Sequence, residues 1–293
     1  MNDQPLTELI YATLAAGQVR LPVHPAVAAR AATLLQTDRP TEAGFAILIV
    51  NDPVLACSLF RAANSAFYHG LPKITTIAEA MTRIGLDQTA EMIGRTCRGE
   101  QRALRGRLLP RYLPPLWQHS LGCALGARWL AERCGYQSLA EQAHLAGLLH
   151  DLGKWALLGI FEQLAAGEDA IVLADQLVAA VLENLHVEVG LRLTADWHLP
   201  DDFARVVGGH HLARLEGQEL LVTLVRLANL GCRKVGLGWV NDPALVLPTT
   251  AEAQFLGIDE ISLAEYEIML EDRFQLVPAG AAHASPAVQG EFR

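Results

Sequence analysis

Apolar side chains recur at spacings of three and four along most of the chain, clearest over 116–134, 139–149, 168–184 and 217–235. That spacing places them on one face of a helix, and no pair of segments alternates as paired strands would. Several starts are written in the local sequence. Pro25 opens Pro25-Ala-Val-Ala-Ala-Arg, at a helix position where a missing N–H costs nothing. Asn51-Asp52-Pro53 opens another helix, with Asp52 as N-cap and Pro53 as first helical residue. Thr76-x-x-Glu79, Ser138-x-x-Glu141 and Ser262-x-x-Glu265 each match a capping box. The pattern predicts an all-α chain, a stack of roughly a dozen short helices.

Two stretches interrupt it. Arg95 to Pro115 carries Arg95, Arg98, Arg102, Arg105, Arg107 and Arg111 and ends in Pro114-Pro115; Gly236 to Asp259 holds Gly238, Pro243 and Leu247-Pro248 and precedes one capped helix. Residues 278–293 have no apolar period and read as a disordered tail. The 293 residues are 51% hydrophobic, enough for a sizeable core, and carry a net charge of −9. An acidic chain without a basic recognition helix is not built to grip nucleic acid or an anionic membrane. The N-terminus lacks the basic-then-apolar order of a signal peptide, and the apolar runs are too short or interrupted to span a bilayer, so a cytoplasmic location is expected. Cys57, Cys97, Cys123, Cys134 and Cys232 include no CxxC pair and read as thiols.

The sharpest chemistry is His150-Asp151-Leu-Gly-Lys154. An imidazole and a carboxylate side by side suit zinc or a first-row metal such as iron or manganese. His119 lies 31 residues earlier, His186 lies 35 residues after Asp151, and His210-His211 follow. A helical bundle can gather residues so spaced around one centre. Each reading has a plainer rival. The histidines form a metal site, or a remnant in which they bond one another and the backbone. Lys154 binds a phosphate, or snorkels at a helix end. The arginines of 95–111 grip a nucleotide phosphate or an acidic partner, or are a solvated face. Asn64-Ser65 reads as a helix end in which Asn takes the left-handed conformation. His24 and His69 read as ordinary, His198 as a turn residue, and Trp117, Trp155 and Trp197 as core.

The order His119, His150-Asp151, His186, His210-His211 resembles the ligand series of the HD phosphohydrolase superfamily, and its order resembles the HD-GYP branch, which cleaves cyclic dinucleotides. Two departures stand out. The position where that series ends in an aspartate falls on Asn229 of Ala228-Asn229, and no Gly-Tyr-Pro follows His210-His211. The N-terminal half supplies Leu21-Pro22-x-His24-Pro25-Ala26-Val27, Asn51-Asp52-Pro53, Ala63-Asn64-Ser65-Ala66-Phe67-Tyr68 and Ile74-Thr75-Thr76-Ile77-x-x-Ala80-x-x-x-Ile84-Gly85, in that order. This closely resembles the HDOD family, a non-catalytic HD relative used as a bacterial signalling output, over about residues 18 to 215.

The resemblance implies two packed helical layers: an N-terminal bundle over 18–113 and an HD-like bundle over 114–215. They follow an N-terminal helix over 1–17 and precede a C-terminal helical extension over 216–277. It implies a cytoplasmic signalling module that acts on a partner protein, with a degenerate site that keeps a divalent metal or a nucleotide. The stretch before Leu21 is too short for a receiver domain, so input is expected from a partner, a ligand or the C-terminal segment. The alternative is a metal-dependent phosphohydrolase acting on a nucleotide or cyclic dinucleotide, in which Asp151 and Lys154 would be the catalytic candidates.

Overall fold

The computed structural model describes residues 5–37, 40–68, 71–100, 108–166, 172–212 and 219–275, and every regular element among them is helical. The first layer holds α1 (Leu6–Ala15), α2 (Pro25–Leu35), α3 (Glu42–Val50), α4 (Pro53–Ala63), α5 (Ile77–Ile84) and α6 (Leu86–Glu100). The second holds α7 (Leu109–Arg133), α8 (Ala140–Leu149), α9 (Leu152–Ala166), α10 (Asp175–Asp196), α11 (Asp201–Gly209) and α12 (Leu220–Lys234). After it come α13 (Ala251–Leu256) and α14 (Glu260–Gln275). No single described helix is long and apolar enough to cross a membrane. His69 and the tail over 278–293 lie outside the described residues, as do Arg102, Arg105 and Arg107.

Local chemistry explains most starts. Asp52 accepts the N–H groups of Val54 and Leu55 at 3.0 and 2.9 Å, with Pro53 next in line. Thr76 and Glu79 form the full capping box of α5. The other two boxes are not formed. Ser138 lies in a short 3₁₀ turn before α8 and caps nothing, while Ser262 is itself the capped residue, its N–H given to Asp259 Oδ1 at 2.7 Å. Asn64 ends α4 at φ −104°, not in the left-handed region; its Oδ1 accepts the N–H of Ile74 instead. His198 does take a positive φ, 56°, at the turn between α10 and α11.

The expected break at Pro114-Pro115 is a continuous helix. α7 runs through both prolines because Leu113, Leu116 and Trp117 are buried around them and hold the segment by packing. Its first turn is capped from a distance: buried Glu162 of α9 accepts the N–H groups of Leu108 and Leu109 at 3.1 and 2.9 Å. A boundary at 113/114 therefore falls inside a helix. The helix expected over 168–184 starts later, at Asp175, and the Gly236–Asp259 stretch contains the extra helix α13.

One cluster of buried side chains extends from Ile10 to Leu270 and takes in both layers. α7 packs on α8 and α12, and α9 on α10; α4 meets α8 across the layers, and α14 lies against α7 and α12. Two histidines join the layers. His24 caps α2 through Nδ1 and stacks on Trp117 at 4.8 Å, and His144 of α8 gives its Nε2–H to the Val50 carbonyl at the end of α3, at 2.8 Å. Trp155 is core and gives its indole N–H to Ser120. Trp197 is not: it is half-buried, with the Arg61 guanidinium 5.2 Å above its ring.

Candidate metal centre

His150 and Asp151 sit in the tight passage from α8 to α9, so both side chains enter the bundle at one point. Gly153, two residues on, is where α9 crosses α10: a Cβ there would stand 1.8 Å from the His186 carbonyl oxygen. Only glycine permits that approach, and the approach brings His186 to Asp151. His119 comes from α7, His210 from the end of α11, and Asn229 from α12.

Four imidazoles aim Nε2 at the one carboxylate. His119 and His150 stand 3.6 and 3.4 Å from Asp151 Oδ2; His186 and His210 stand 3.6 and 3.5 Å from Oδ1. Each Nδ1 meets a backbone carbonyl: Leu237 for His119 at 3.1 Å, Gly147 for His150 at 2.7 Å, Glu183 for His186 at 2.8 Å and Val207 for His210 at 2.8 Å. A carbonyl only accepts, so each Nδ1 carries the hydrogen. In the neutral ring Nε2 is then a bare lone pair. Burial lowers the pKa of His119, of His150 and of His186, despite the attraction of Asp151. His211, at the open edge, is pushed down to about 3, also by burial first. Asp151 behaves oppositely: burial pushes its carboxyl up, but Lys154 and His150 together hold it well below the usual carboxylate range.

The result is two pairs of facing acceptors. The Nε2 atoms of His119 and His150 lie 3.3 Å apart, and those of His186 and His210 lie 3.4 Å apart. Lone pair against lone pair in a buried site is unfavourable unless something positive lies between. The two sides of Asp151 differ here. Oδ2 has the Lys154 ammonium at 2.9 Å, while Oδ1 is buried with no hydrogen-bond partner among the described residues. His186, His210, His211 and Asp151 can offer four ligand atoms within 4.8 Å of one another. These residues fit a divalent cation, as three imidazoles and a carboxylate suit a four-coordinate site. Lys154, expected either at a phosphate or on the surface, is buried against Asp151.

Above Asp151 opens a cavity of about 610 Å³, whose walls include Arg111, His119, Lys154, Asn229, Arg233 and Trp239. Asn229 is thus at the site although 78 residues from Asp151. His24, His144 and His198 are not among the residues that line it.

A model of the HDOD domain matches residues 21–213. The chain belongs to the HDOD family. It is 26% identical over 193 residues to an uncharacterized protein of Treponema pallidum (strain Nichols), a match covering 64% of this chain and 37% of that one. The chain thus spans little more than a third of that relative's length. Among solved structures, the MmoQ response regulator of Methylococcus capsulatus shares 22% identity at a TM-score of 0.66, over 85% of this chain and 98% of that one. A Campylobacter jejuni virulence factor shares 17% at a TM-score of 0.59, over 90% of this chain and 98% of that one. At such identities the likeness speaks to the fold.

Several residues that shape the site lie past the matched HDOD segment. Leu237 orients His119, and Gly238, at φ +114°, passes so close that a Cβ would meet the His119 ring at 3.1 Å. Arg226 of α12 donates to the carbonyls of Gly209 and Leu212 on either side of His210-His211, and pairs with buried Glu252 of α13 at 2.7 Å. Sequence reasoning missed these, because a backbone carbonyl leaves no side-chain signature and the Arg226–Glu252 pair is 26 residues apart on different helices. Cys123 was legible, four residues from His119 on the same helix face. Its sulfur lies 3.6 Å from His119 Nε2, and burial holds the thiol well above its usual pKa, so it stays protonated. The cysteines are free thiols, with only Cys134 less than fully buried.

Proposed function

We propose that this HDOD chain is a regulatory signalling module that acts through a partner protein and holds one divalent metal on the Oδ1 side of Asp151. His186, His210, His211 and Asp151 would be the ligands, and zinc, iron or manganese suits that donor set. The observation that carries the reading is the buried, unpartnered Asp151 Oδ1, faced by two imidazoles whose Nδ1 hydrogens are committed to carbonyls. The cation would bind and orient these side chains and hold His210-His211 at the end of α11. The free thiols are in keeping with a reducing cytoplasm.

A second reading, metal-dependent phosphoester hydrolysis, is favoured by one observation. Arg111, Lys154 and Arg233 line the cavity over Asp151, where a nucleotide or cyclic dinucleotide phosphate would be welcome. Against turnover, the Oδ2 side is held by Lys154, and the position where the ligand series would end in an aspartate is a neutral amide, Asn229. The regulatory reading predicts metal without hydrolysis. Purified protein should carry metal and leave a cyclic dinucleotide intact. Turnover with added manganese or iron, abolished by Asp151→Ala, would replace it with the second reading.

A further inference from the structure

A second pocket shares no lining residue with the Asp151 cavity and lies where α4, α6, the segment before α2 and the turn after α10 meet. It measures about 230 Å³, and its walls include Arg20, Arg61, Arg95, Ser58, Thr96 and Trp197. No acidic side chain lines it, in a chain where acids outnumber bases by 32 to 23. Arg20 and Arg61 form no ion pair among the described residues, and Arg95 has only a loose one, 3.7 Å to Glu91. Arg61 stands with its guanidinium carbon 5.2 Å from the centre of the Trp197 ring, a cation–π contact that consumes none of its N–H donors.

All three arginines are exposed at the rim of the pocket, where water screens their mutual repulsion, and together they give it a positive potential. An anion relieves that repulsion. A carboxylate brings one charge and two oxygens, too little for three guanidinium forks. A phosphate monoester brings nearly two charges and three terminal oxygens, with the Ser58 hydroxyl as a further donor; the Thr96 hydroxyl donates to the Met92 sulfur at 3.8 Å.

We infer that the Arg20–Arg61–Arg95 pocket is a phosphate-binding site, distinct from the Asp151 centre and independent of any metal there. The volume admits the phosphate and a small part of whatever carries it, so the source is either free phosphate or an organic monoester. Its place at the seam of the two layers means that an occupant would bridge α4 and α6 of one to the α10 turn of the other.

The test is calorimetric titration of the full chain, at low salt and with chelator, using inorganic phosphate, a nucleoside 5′-monophosphate and acetate. Saturable binding of one phosphate per chain is expected, weakened about tenfold or more by Arg61→Ala, since each bond to a charged group contributes at least that much. Arg61→Lys keeps the charge but loses the fork, and should fall between. Arg20→Gln with Arg95→Gln should abolish binding while circular dichroism and melting stay near wild type, which separates lost binding from lost fold. Tighter binding of the monoester names an organic phosphate as the source; equal binding names the free ion. No binding of either at 10 mM, about a hundredfold above the Kd a useful phosphate site needs, overturns the inference. So does acetate binding as well as phosphate, or phosphate binding untouched by the arginine variants, which would locate it elsewhere, such as the cavity over Asp151.

Discussion

The two oxygens of Asp151 share one carbon and face two environments. On the Oδ2 side stand His119, His150 and the Lys154 ammonium, with Asn229 on the wall beyond. On the Oδ1 side stand His186 and His210, with His211 at the rim and no cationic side chain among the described residues. Both sides have the same kind of imidazole, fixed by the same Nδ1–carbonyl bond. The difference lies in what supplies the positive charge. A lysine already answers the carboxylate on one side, and on the other no cationic side chain does so among the described residues; the proposed metal would supply that charge. His119, Cys123 and His150 also lie close enough to share an ion, so the proposed single metal rests on the unpartnered Oδ1 and on Lys154 at Oδ2.

Removing the shared carboxylate should erase the contrast. Asp151→Asn leaves the imidazoles in place but takes away the carboxylate that they face, and metal affinity should fall by more than about 100-fold, since even outer partners of a ligand are worth 10–100-fold. Titration with zinc under a competing chelator measures it; affinity within a few-fold of wild type would place the metal elsewhere.

His144 provides a reference buried histidine with no carboxylate facing it. Its pKa is lowered to about 4, by burial first. The unfolded chain, at about 6.5, binds this proton where the folded one does not, so the His144 contribution is intact above pH 6.5 and is lost as pH falls toward 4. By pH 5 that loss is about 2 kcal/mol. His119, His150 and His186, also lowered by burial, should add to it in chelator and not with metal bound. Denaturant melts of wild type and His144→Gln at pH 7 and pH 5, with saturating metal, should show the variant losing less; equal losses would remove His144 from the account.

A smaller effect should sharpen the Oδ1 side. Arg226→Ala frees the turn that carries His210-His211 and strands Glu252, so metal affinity should drop about tenfold with His119 and His150 untouched. Unchanged affinity with a lowered melting temperature would make Arg226 purely structural.

The smallest change should move the Oδ2 side toward its opposite. Asn229→Asp adds a carboxylate to the cavity beside Asp151, and the metal-free protein should lose on the order of 1 kcal/mol, since like charges at short range resist ionising together. Metal should return that loss through binding. Identical metal-induced shifts in melting for wild type and Asn229→Asp would mean that Asn229 does not face the ion.

Much of this was readable from the chain, and the failures have physical causes. Asp52-Pro53 and Thr76-x-x-Glu79 fix helix starts through bonds within a few residues, and periodicity exposes such elements. The spaced histidines and His150-Asp151 were legible because ligand chemistry is confined to few residue types. Pro114-Pro115 misled because propensity is local, while α7 is held by Leu113, Leu116 and Trp117 from both sides and capped by Glu162 from α9. Ser138 and Ser262 matched a capping pattern whose geometry another residue had taken or the chain had not formed. The asymmetry of Asp151 was hidden because it depends on where Lys154 turns and on the Leu237, Glu183 and Val207 carbonyls, and no residue type marks either.

The most direct test counts metal in purified wild type, His119→Ala and His210→Ala, each grown with trace metals and freed of loosely bound ions. One metal per chain is predicted in wild type and in His119→Ala, and almost none in His210→Ala. Equal loss in both variants, or two metals per wild-type chain, would contradict the assignment to the Oδ1 side.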